Sequence, residues 1–68
     1  MINADKIKGR MREKRLSQDI VAKQMELAQS TFCQKINGTR PMNLDEANEL
    51  AQILEISDSE FKTYFFAQ

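Results

Sequence analysis

The stretch Leu16 to Pro41, LSQDIVAKQMELAQSTFCQKINGTRP, decides how this chain folds. Its apolar residues recur at helical spacing in two short segments that are joined by a tight turn. In the second segment, Gln29 to Asn37, Phe32 and Ile36 fall on one side of the helix, together with Ala28. The opposite side is polar and carries almost no charge. The pattern predicts a helix that is anchored by one side and presents the other.

The polar side of this second helix has the side chains that base recognition in DNA needs. Gln and Asn amides bond bidentately to adenine, and a hydroxyl can donate or accept at several bases. Lys and Arg mostly supply phosphate attraction, so a face without them favours base reading. An ordinary solvent-exposed helix face is the alternative interpretation. The residues that we expect to meet bases are Gln29, Ser30, Cys33 and Gln34. Cys33 is expected to be an inert contact rather than a redox switch.

Residues on either side of this helix are suited to contact the DNA backbone. Gln18 begins the first segment, where its amide and the helix N-terminus can hold a phosphate; it could also brace Gln29 across the turn. Gly38 lets the main chain approach DNA closely, and a basic stripe recurs every four residues at the start of the chain. From these positions we expect phosphate contacts by Gln18, Lys35, Thr39, Arg40 and, within the stripe Lys6, Arg10 and Lys14, by Arg10. For Lys35 a plain surface lysine is an equal alternative.

The remaining sequence predicts three more helices, and so an all-α fold of five short helices with no strand. The first is expected at about residues 4–14, and Gly38 ends the third in the left-handed conformation. The predicted N-caps are Asn3, Ser17, Asn43 and Ser57, the last two with Glu46 and Glu60 at capping-box spacing. The residues expected to face the core are Ala4, Ile7, Met11, Val21, Ala22, Met25, Ala28, Phe32, Ile36, Leu44, Ala47, Leu50, Ala51 and Leu54.

Composition limits the classes of protein that remain. At 68 residues the chain makes one small domain, residues 1–68, whose thin core would benefit from dimerisation. One cysteine and no histidine exclude a disulfide framework and a His/Cys metal site. We expect no cofactor, no small-molecule ligand, no membrane span and no signal peptide, and hence a cytoplasmic protein. The sequence does not favour an enzyme, because no nucleophile has a visible base and the Asp45-Glu46 pair is explained by helix capping.

Charge is distributed unevenly along the sequence. Residues 1–40 hold nine Lys and Arg against four acids, which gives +5, and residues 41–68 hold one Lys against six acids, which gives −5. If the fold keeps these halves on different faces, one face attracts phosphate and the other repels it. A set of solvated helix surfaces is the alternative.

Three motifs together resemble a known family. LSQ-x-x-x-A from Leu16, QSTF-x-x-K-I-N-G from Gln29 and P-x-x-L-D-E-A from Pro41 are similar to the Cro/repressor-type helix-turn-helix regulators of phages and bacteria, especially the small phage repressors. The match covers roughly residues 4–57. It implies a compact five-helix DNA-binding domain that binds operators as a dimer. It also implies base reading by Gln29, Ser30 and Gln34, and phosphate contacts by Gln18, Asn37, Thr39 and Arg40.

The sequence departs from this family at three positions. Glu26 stands in the turn where the family usually has Gly, so a non-Gly residue must adopt a left-handed conformation there. Ala28 stands where a Ser or Thr N-cap is usual, which costs about 1 kcal/mol of capping energy. Arg15 stands where Gly commonly ends the first helix. These departures affect the stability and the angle of the third helix more than the fold.

Two functions follow from the sequence. The first is a sequence-specific transcriptional regulator in a bacterial cell or phage-infected host, which binds a pseudo-palindromic operator on double-stranded DNA as a homodimer. The second is an antitoxin-like or anti-repressor-like module that binds another protein through the same fold. The aromatic C-terminus is expected to cover the core, with any exposed part forming a dimer patch. Its residues are Tyr64, Phe65 and Phe66.

Overall fold

The helices form close to the predicted positions. A computed structural model of the protein describes residues 2–66. Its helices are α1 (Ala4–Glu13), α2 (Gln18–Gln24), α3 (Gln29–Ile36), α4 (Leu44–Ile53) and α5 (Asp58–Phe65), and the described residues contain no strand. The prediction of an all-α, five-helix fold is confirmed. None of these helices is long and apolar enough to cross a membrane.

Side-chain caps begin three helices as predicted. Asn3 and Ser17 each accept a hydrogen bond from the backbone N–H three residues later, at 3.1 and 3.2 Å. Before α4, the Asn43 side chain accepts from the Glu46 N–H at 2.8 Å, and the Glu46 carboxylate accepts from the Asn43 N–H at 3.0 Å. This reciprocal capping box satisfies backbone donors that a helix start leaves without partners.

Two helices begin without a side-chain cap. The capping box predicted at Ser57 is wrong, because the Ser57 hydroxyl donates to the Glu60 carboxylate at 3.1 Å and accepts no backbone N–H. Ala28 precedes α3 in an extended conformation and cannot cap it, because a methyl side chain has no hydrogen-bond acceptor. The start of α3 therefore lacks the stabilisation of a side-chain cap and depends on the packing of the helix against the core.

One backbone motif ends each of the first four helices. The residue after the C-cap enters the left-handed region, and the N–H of the next residue bonds to a carbonyl five positions earlier, which is a Schellman motif. The left-handed residues are Arg15 (φ 58°), Glu26 (φ 58°), Gly38 (φ 85°) and Glu55 (φ 55°). The residues that follow them, with their N···O distances, are Leu16 (2.9 Å), Leu27 (2.9 Å), Thr39 (3.0 Å) and Ile56 (2.8 Å).

The α3–α4 connection differs from the other three in composition. It has Gly at the left-handed position and an exposed, polar Thr39 after it, whereas the other three follow a charged residue with an apolar one that packs on the core. An apolar residue there pulls the loop onto the core. The α3–α4 loop consequently stays at the surface, next to the end of α3.

The core contains most of the predicted apolar residues. Ile7, Phe32, Ile36, Leu50 and Leu54 are fully buried. The expectation fails for Leu44, which is 60 % exposed because it is the first residue of α4, and for Ala28, which precedes α3 and is exposed. Ala4 is only half-buried. Buried with the first set are Met11, Val21, Ala22, Met25, Ala47, Ala51, Ile56, Tyr64 and Phe65.

Candidate nucleic-acid interface

Helix α3 is divided into a buried and an exposed side. Phe32 and Ile36 are each 0 % exposed and anchor the helix in the core. The exposed residues of the polar side are Gln29, Ser30, Gln34 and, at the C-cap, Asn37. Because a helix repeats every 3.6 residues, anchoring one side fixes the direction of the other. The structure thus holds a row of uncharged polar side chains at the surface.

Cys33 lies on the same helix but is half-buried, and its thiol donates a hydrogen bond to Oε1 of Gln18. The Gln18 amide oxygen is therefore bound to α3, and its –NH₂ group is the part available for a further contact. The sequence suggested that Gln18 braces Gln29 across the turn. In the structure Gln18 is bonded to Cys33 instead, which lies one helical turn after Gln29 on α3.

One carbonyl group accepts three hydrogen bonds from the first half of the loop after α3. The Gln34 carbonyl accepts from the Thr39 N–H (3.0 Å), from the Arg40 N–H (3.2 Å) and from the Thr39 hydroxyl (3.1 Å). The hydroxyl that was expected to meet a phosphate thus has a partner within the protein. The Arg40 side chain is exposed beside it. Gln34, whose side chain lies on the polar side of α3, thus also orients the backbone of the loop that carries Arg40.

Lys35 does not extend into solvent. Its ammonium group is paired with Oε2 of Glu46 at the start of α4, and the two side chains are only 12 % and 18 % exposed. The Lys35 hydrogen bond keeps the pKa of Glu46 below its ordinary value of 4.5, although partial burial acts in the opposite direction. Glu46 is therefore ionised at neutral pH. The expected phosphate contact by Lys35 would require this pair to open.

Arg10, which was expected to contact a phosphate, makes hydrogen bonds within the protein. Its guanidinium donates to the backbone carbonyls of Leu54 (2.9 Å) and Glu55 (3.0 Å), which are otherwise without helical partners at the end of α4. The rest of the basic stripe also faces the C-terminal half. Lys14 pairs with the Glu55 carboxylate at 3.1 Å, and the Lys6 ammonium lies 5.2 Å from the centre of the Tyr64 ring.

These contacts also revise the expected separation of charge. Several basic residues of the N-terminal half contact acids, carbonyls or an aromatic ring of the C-terminal half. Lys14 and Lys35 show this most directly, since each pairs with a glutamate. At these two pairs, opposite charges from the two halves of the sequence are in direct contact. Helical periodicity places the stripe on one side of α1, but it does not say which element covers that side.

The predicted aromatic patch is mostly core. Tyr64 and Phe65 are 9 % and 5 % exposed, and only Phe66 is largely exposed, at 55 %. Phe66 lies with exposed Leu44 along an apolar groove of about 550 Å³. We call this the α4–α5 groove; its lining also includes Ile2, Lys35, Gly38, Arg40, Pro41, Met42, Asn43, Ala47 and Phe65.

A sequence profile of the Cro/C1-type HTH DNA-binding domain matches residues 6–65. The chain belongs to this family. The match spans α1 to α5, so every helix described above is part of the family domain. Comparisons with curated proteins and with solved structures gave no match. Helices α2 and α3 are therefore the helix-turn-helix of a Cro/C1-type DNA-binding domain.

Two features of the interface region were not predicted from the sequence. The pairing of Glu46 with Lys35 was missed, since Glu46 was assigned to the capping box alone; opposite charges in the last turn of one helix and the first turn of the next were the available signal. Exposure of Leu44 was missed because its spacing fits the apolar stripe of α4. Its position as the first helical residue was the contrary signal.

Proposed function

We propose that this Cro/C1-type domain is a sequence-specific transcriptional regulator that places α3 in the major groove of a pseudo-palindromic operator. The observation that carries the proposal is the exposed, uncharged polar row on a helix whose other side is fully buried. In this proposal Gln29, Ser30 and Gln34 read base edges, since their amides and hydroxyl match the donors and acceptors there. Cys33, held against Gln18, contributes at most an apolar contact beside them.

Phosphate contacts come from the exposed residues around this row. Arg40 supplies an exposed basic side chain within the α3–α4 loop, and Asn37 lies exposed at the C-cap of α3. Gln18, at the start of α2, supplies an –NH₂ donor, because its amide oxygen is the atom that accepts from Cys33. Thr39 and Lys35 are already bonded within the protein, so they support the loop.

A homodimer completes the proposal. The α4–α5 groove exposes Leu44 and Phe66 on the surface next to Arg40. Two copies joined through this groove by a two-fold axis would bury these side chains and present two α3 helices to DNA. A dimer of this kind reads two half-sites about one helical turn apart, and it represses by occupying the operator.

The experiment that tests the function is the selection of bound duplexes from a random DNA pool at physiological salt. We expect enrichment of an inverted repeat whose half-sites lie about 34–36 Å apart. If no sequence is enriched and binding is lost by about 150 mM salt, only nonspecific attraction to phosphates remains. The proposal would then fail, and binding to another protein, in the manner of an antitoxin or anti-repressor, would become the function to test.

Two substitutions connect the selected operator to the assigned residues. Gln34→Ala is expected to relax selectivity at one base position, because it removes one base contact. Arg40→Ala is expected to weaken binding to all sequences and to lower the slope of log affinity against log salt by about one. Gln52→Ala on α4 and Arg12→Ala on α1 are the matched controls. An equal loss on operator and random DNA in Gln34→Ala, or a loss confined to the operator in Arg40→Ala, would contradict the assignment.

A further inference from the structure

We propose that Glu46 and Lys35 form a positioning pair, which holds the end of α3 and the α3–α4 loop in the geometry that binds DNA. This proposal rests on the function proposed above, and it names the residues that determine where the recognition helix lies. It assigns to Lys35 a role through Glu46 in place of a phosphate contact. Glu46, an acid in a DNA-binding domain, thereby favours DNA binding.

The contacts of Glu46 connect the two ends of one loop. Its Oε1 accepts from the Asn43 N–H at 3.0 Å, and its Oε2 is paired with the Lys35 ammonium. Lys35 is in the last turn of α3, and Asn43 is the N-cap of α4. The Glu46 carboxylate therefore contacts both Lys35, just before the loop begins, and Asn43, where the loop ends.

The electrostatics favour the charged pair at this place. Lys35 lies at the negative end of the α3 dipole, and Glu46 lies at the positive end of the α4 dipole, so each charge is stabilised by its own helix as well as by its partner. Both side chains are largely shielded from solvent, which reduces screening by salt. These conditions distinguish the pair from the exposed Lys23–Asp19 pair on α2, whose atoms are 3.9 Å apart.

The loop that the pair closes carries part of the proposed interface. Gly38, Thr39 and Arg40 lie between Lys35 and Asn43, and the Gln34 carbonyl holds the first half of this loop. Loss of the pair would leave the second half of the loop with fewer constraints. Arg40 and the C-terminal turn of α3 would then have to be ordered when DNA binds, which weakens binding.

The substitution Glu46→Gln separates this proposal from simple electrostatics. The Gln side-chain carbonyl can still accept from the Asn43 N–H, but the charge that pairs with Lys35 is gone. Removal of an acid raises DNA affinity if charge alone matters. A positioning role requires the opposite sign, and we expect affinity for the selected operator to fall about five- to tenfold. Glu49→Gln, an exposed acid one turn along α4, is the matched control and should not lower affinity.

Substitution of Lys35 gives a second, independent readout. Lys35→Met should lower operator affinity by a similar factor while the salt slope stays as in the wild-type protein. The double variant should bind no more weakly than either single variant, because both remove the same pair. Lys35→Arg keeps the charge and should retain most of the affinity. Circular dichroism of each variant establishes that it is folded, and Glu46→Gln still tests the proposal if Lys35→Met does not fold.

The outcomes distinguish the positioning pair from the proposed function. If the wild-type protein selects no DNA sequence, the proposed function fails before any variant is made. If the wild-type protein selects an operator, but Glu46→Gln binds it as well or better, the positioning pair is overturned and the function stands. A salt slope that falls by about 0.9 in Lys35→Met would likewise overturn the pair, because Lys35 would then be neutralising a phosphate.

Discussion

Arg15 and Glu26 occupy the same backbone conformation at the ends of successive helices. Both have φ of 58° and exposed side chains, and both are the left-handed residue of a Schellman motif. A side chain with a Cβ is strained in this region by about 1–2 kcal/mol, and Gly removes that strain at the expense of a more flexible unfolded chain. The two positions are therefore equivalent in backbone terms and opposite in charge.

This equivalence predicts a matched pair of variants. Arg15→Gly and Glu26→Gly should each raise the free energy of unfolding by about 0.5–1 kcal/mol, as measured by urea denaturation. Their effects on DNA should differ. Glu26 lies in the turn that leads into α3, so the loss of its carboxylate should raise DNA affinity, whereas the loss of Arg15 should not. Destabilisation by both would show that the left-handed conformation costs little here.

At the scale of the element, Arg10 acts on a helix other than its own. Its two hydrogen bonds to the Leu54 and Glu55 carbonyls close the end of α4, and its side chain also lies 3.9 Å from the Glu13 carboxylate. Glu55 sits in the left-handed region at that end, so the guanidinium secures the turn between α4 and α5. Arg10 thus links α1 to the helix that carries Glu46.

Arg10→Met is expected to destabilise the protein by about 1.5–3 kcal/mol, since it leaves two carbonyls without a charged donor. In thermal unfolding, a loss of 1 kcal/mol lowers the melting temperature of a domain this size by about 4–8 °C. Arg12→Met, on the exposed side of α1, should change stability by less than about 0.5 kcal/mol. An unchanged melting temperature together with a reduced salt slope of DNA binding would restore Arg10 as a phosphate contact.

The elements themselves could be predicted because their signals are local. Apolar spacing within a helix located the buried sides of α2 and α3, and the cap residues located three helix starts. The partners of charged residues could not be predicted, because they depend on which helix packs where. The sequence pattern predicts that Arg10 and Lys35 lie at the surface. In the structure Arg10 bonds to a residue that is 44 positions away along the chain, and Lys35 to one that is 11 positions away. The sequence likewise predicted that the aromatic C-terminus covers the core, but it did not show that Phe66, rather than Tyr64 or Phe65, is the exposed residue.

The residues with positive φ could be predicted from the sequence only in part. Glu26 could be predicted from the place that Gly usually takes in the family, and Gly38 from its chemistry. Glu55 was missed, because nothing in a charged residue itself indicates a positive φ. The apolar residue that follows it, Ile56, is the signal that the three similar turns share, since it brings the chain back to the core.

At the scale of the whole molecule, one copy is too short to span both half-sites of the operator proposed above. The described residues extend 28 Å along their longest axis, whereas half-sites on one side of DNA are about 34–36 Å apart. A single domain with one α3 therefore reaches a single half-site. Binding to a pseudo-palindrome requires a second copy, and the α4–α5 groove is the apolar surface nearest to the loop that carries Arg40.

The proposed dimer predicts the effect of a charge placed in the groove. Leu44→Glu should abolish dimerisation and reduce operator binding by more than half-site binding, because a buried carboxylate without a partner opposes association. The wild-type protein should sediment as a monomer–dimer equilibrium that the operator shifts toward dimer. Leu44 is 60 % exposed, so this substitution should leave the monomer folded.

Ile20→Glu separates the groove from exposed apolar surface in general. Ile20 is 44 % exposed on α2 and does not line the groove, so its substitution should leave self-association unchanged. The dimer would be refuted if the wild-type protein sedimented as a monomer at high concentration, both alone and on operator DNA. If both glutamate variants weakened association equally, the α4–α5 groove would lose its assignment as the dimer surface. Selective loss in Leu44→Glu would connect an apolar groove at the edge of the domain to the two-fold symmetry of its DNA site.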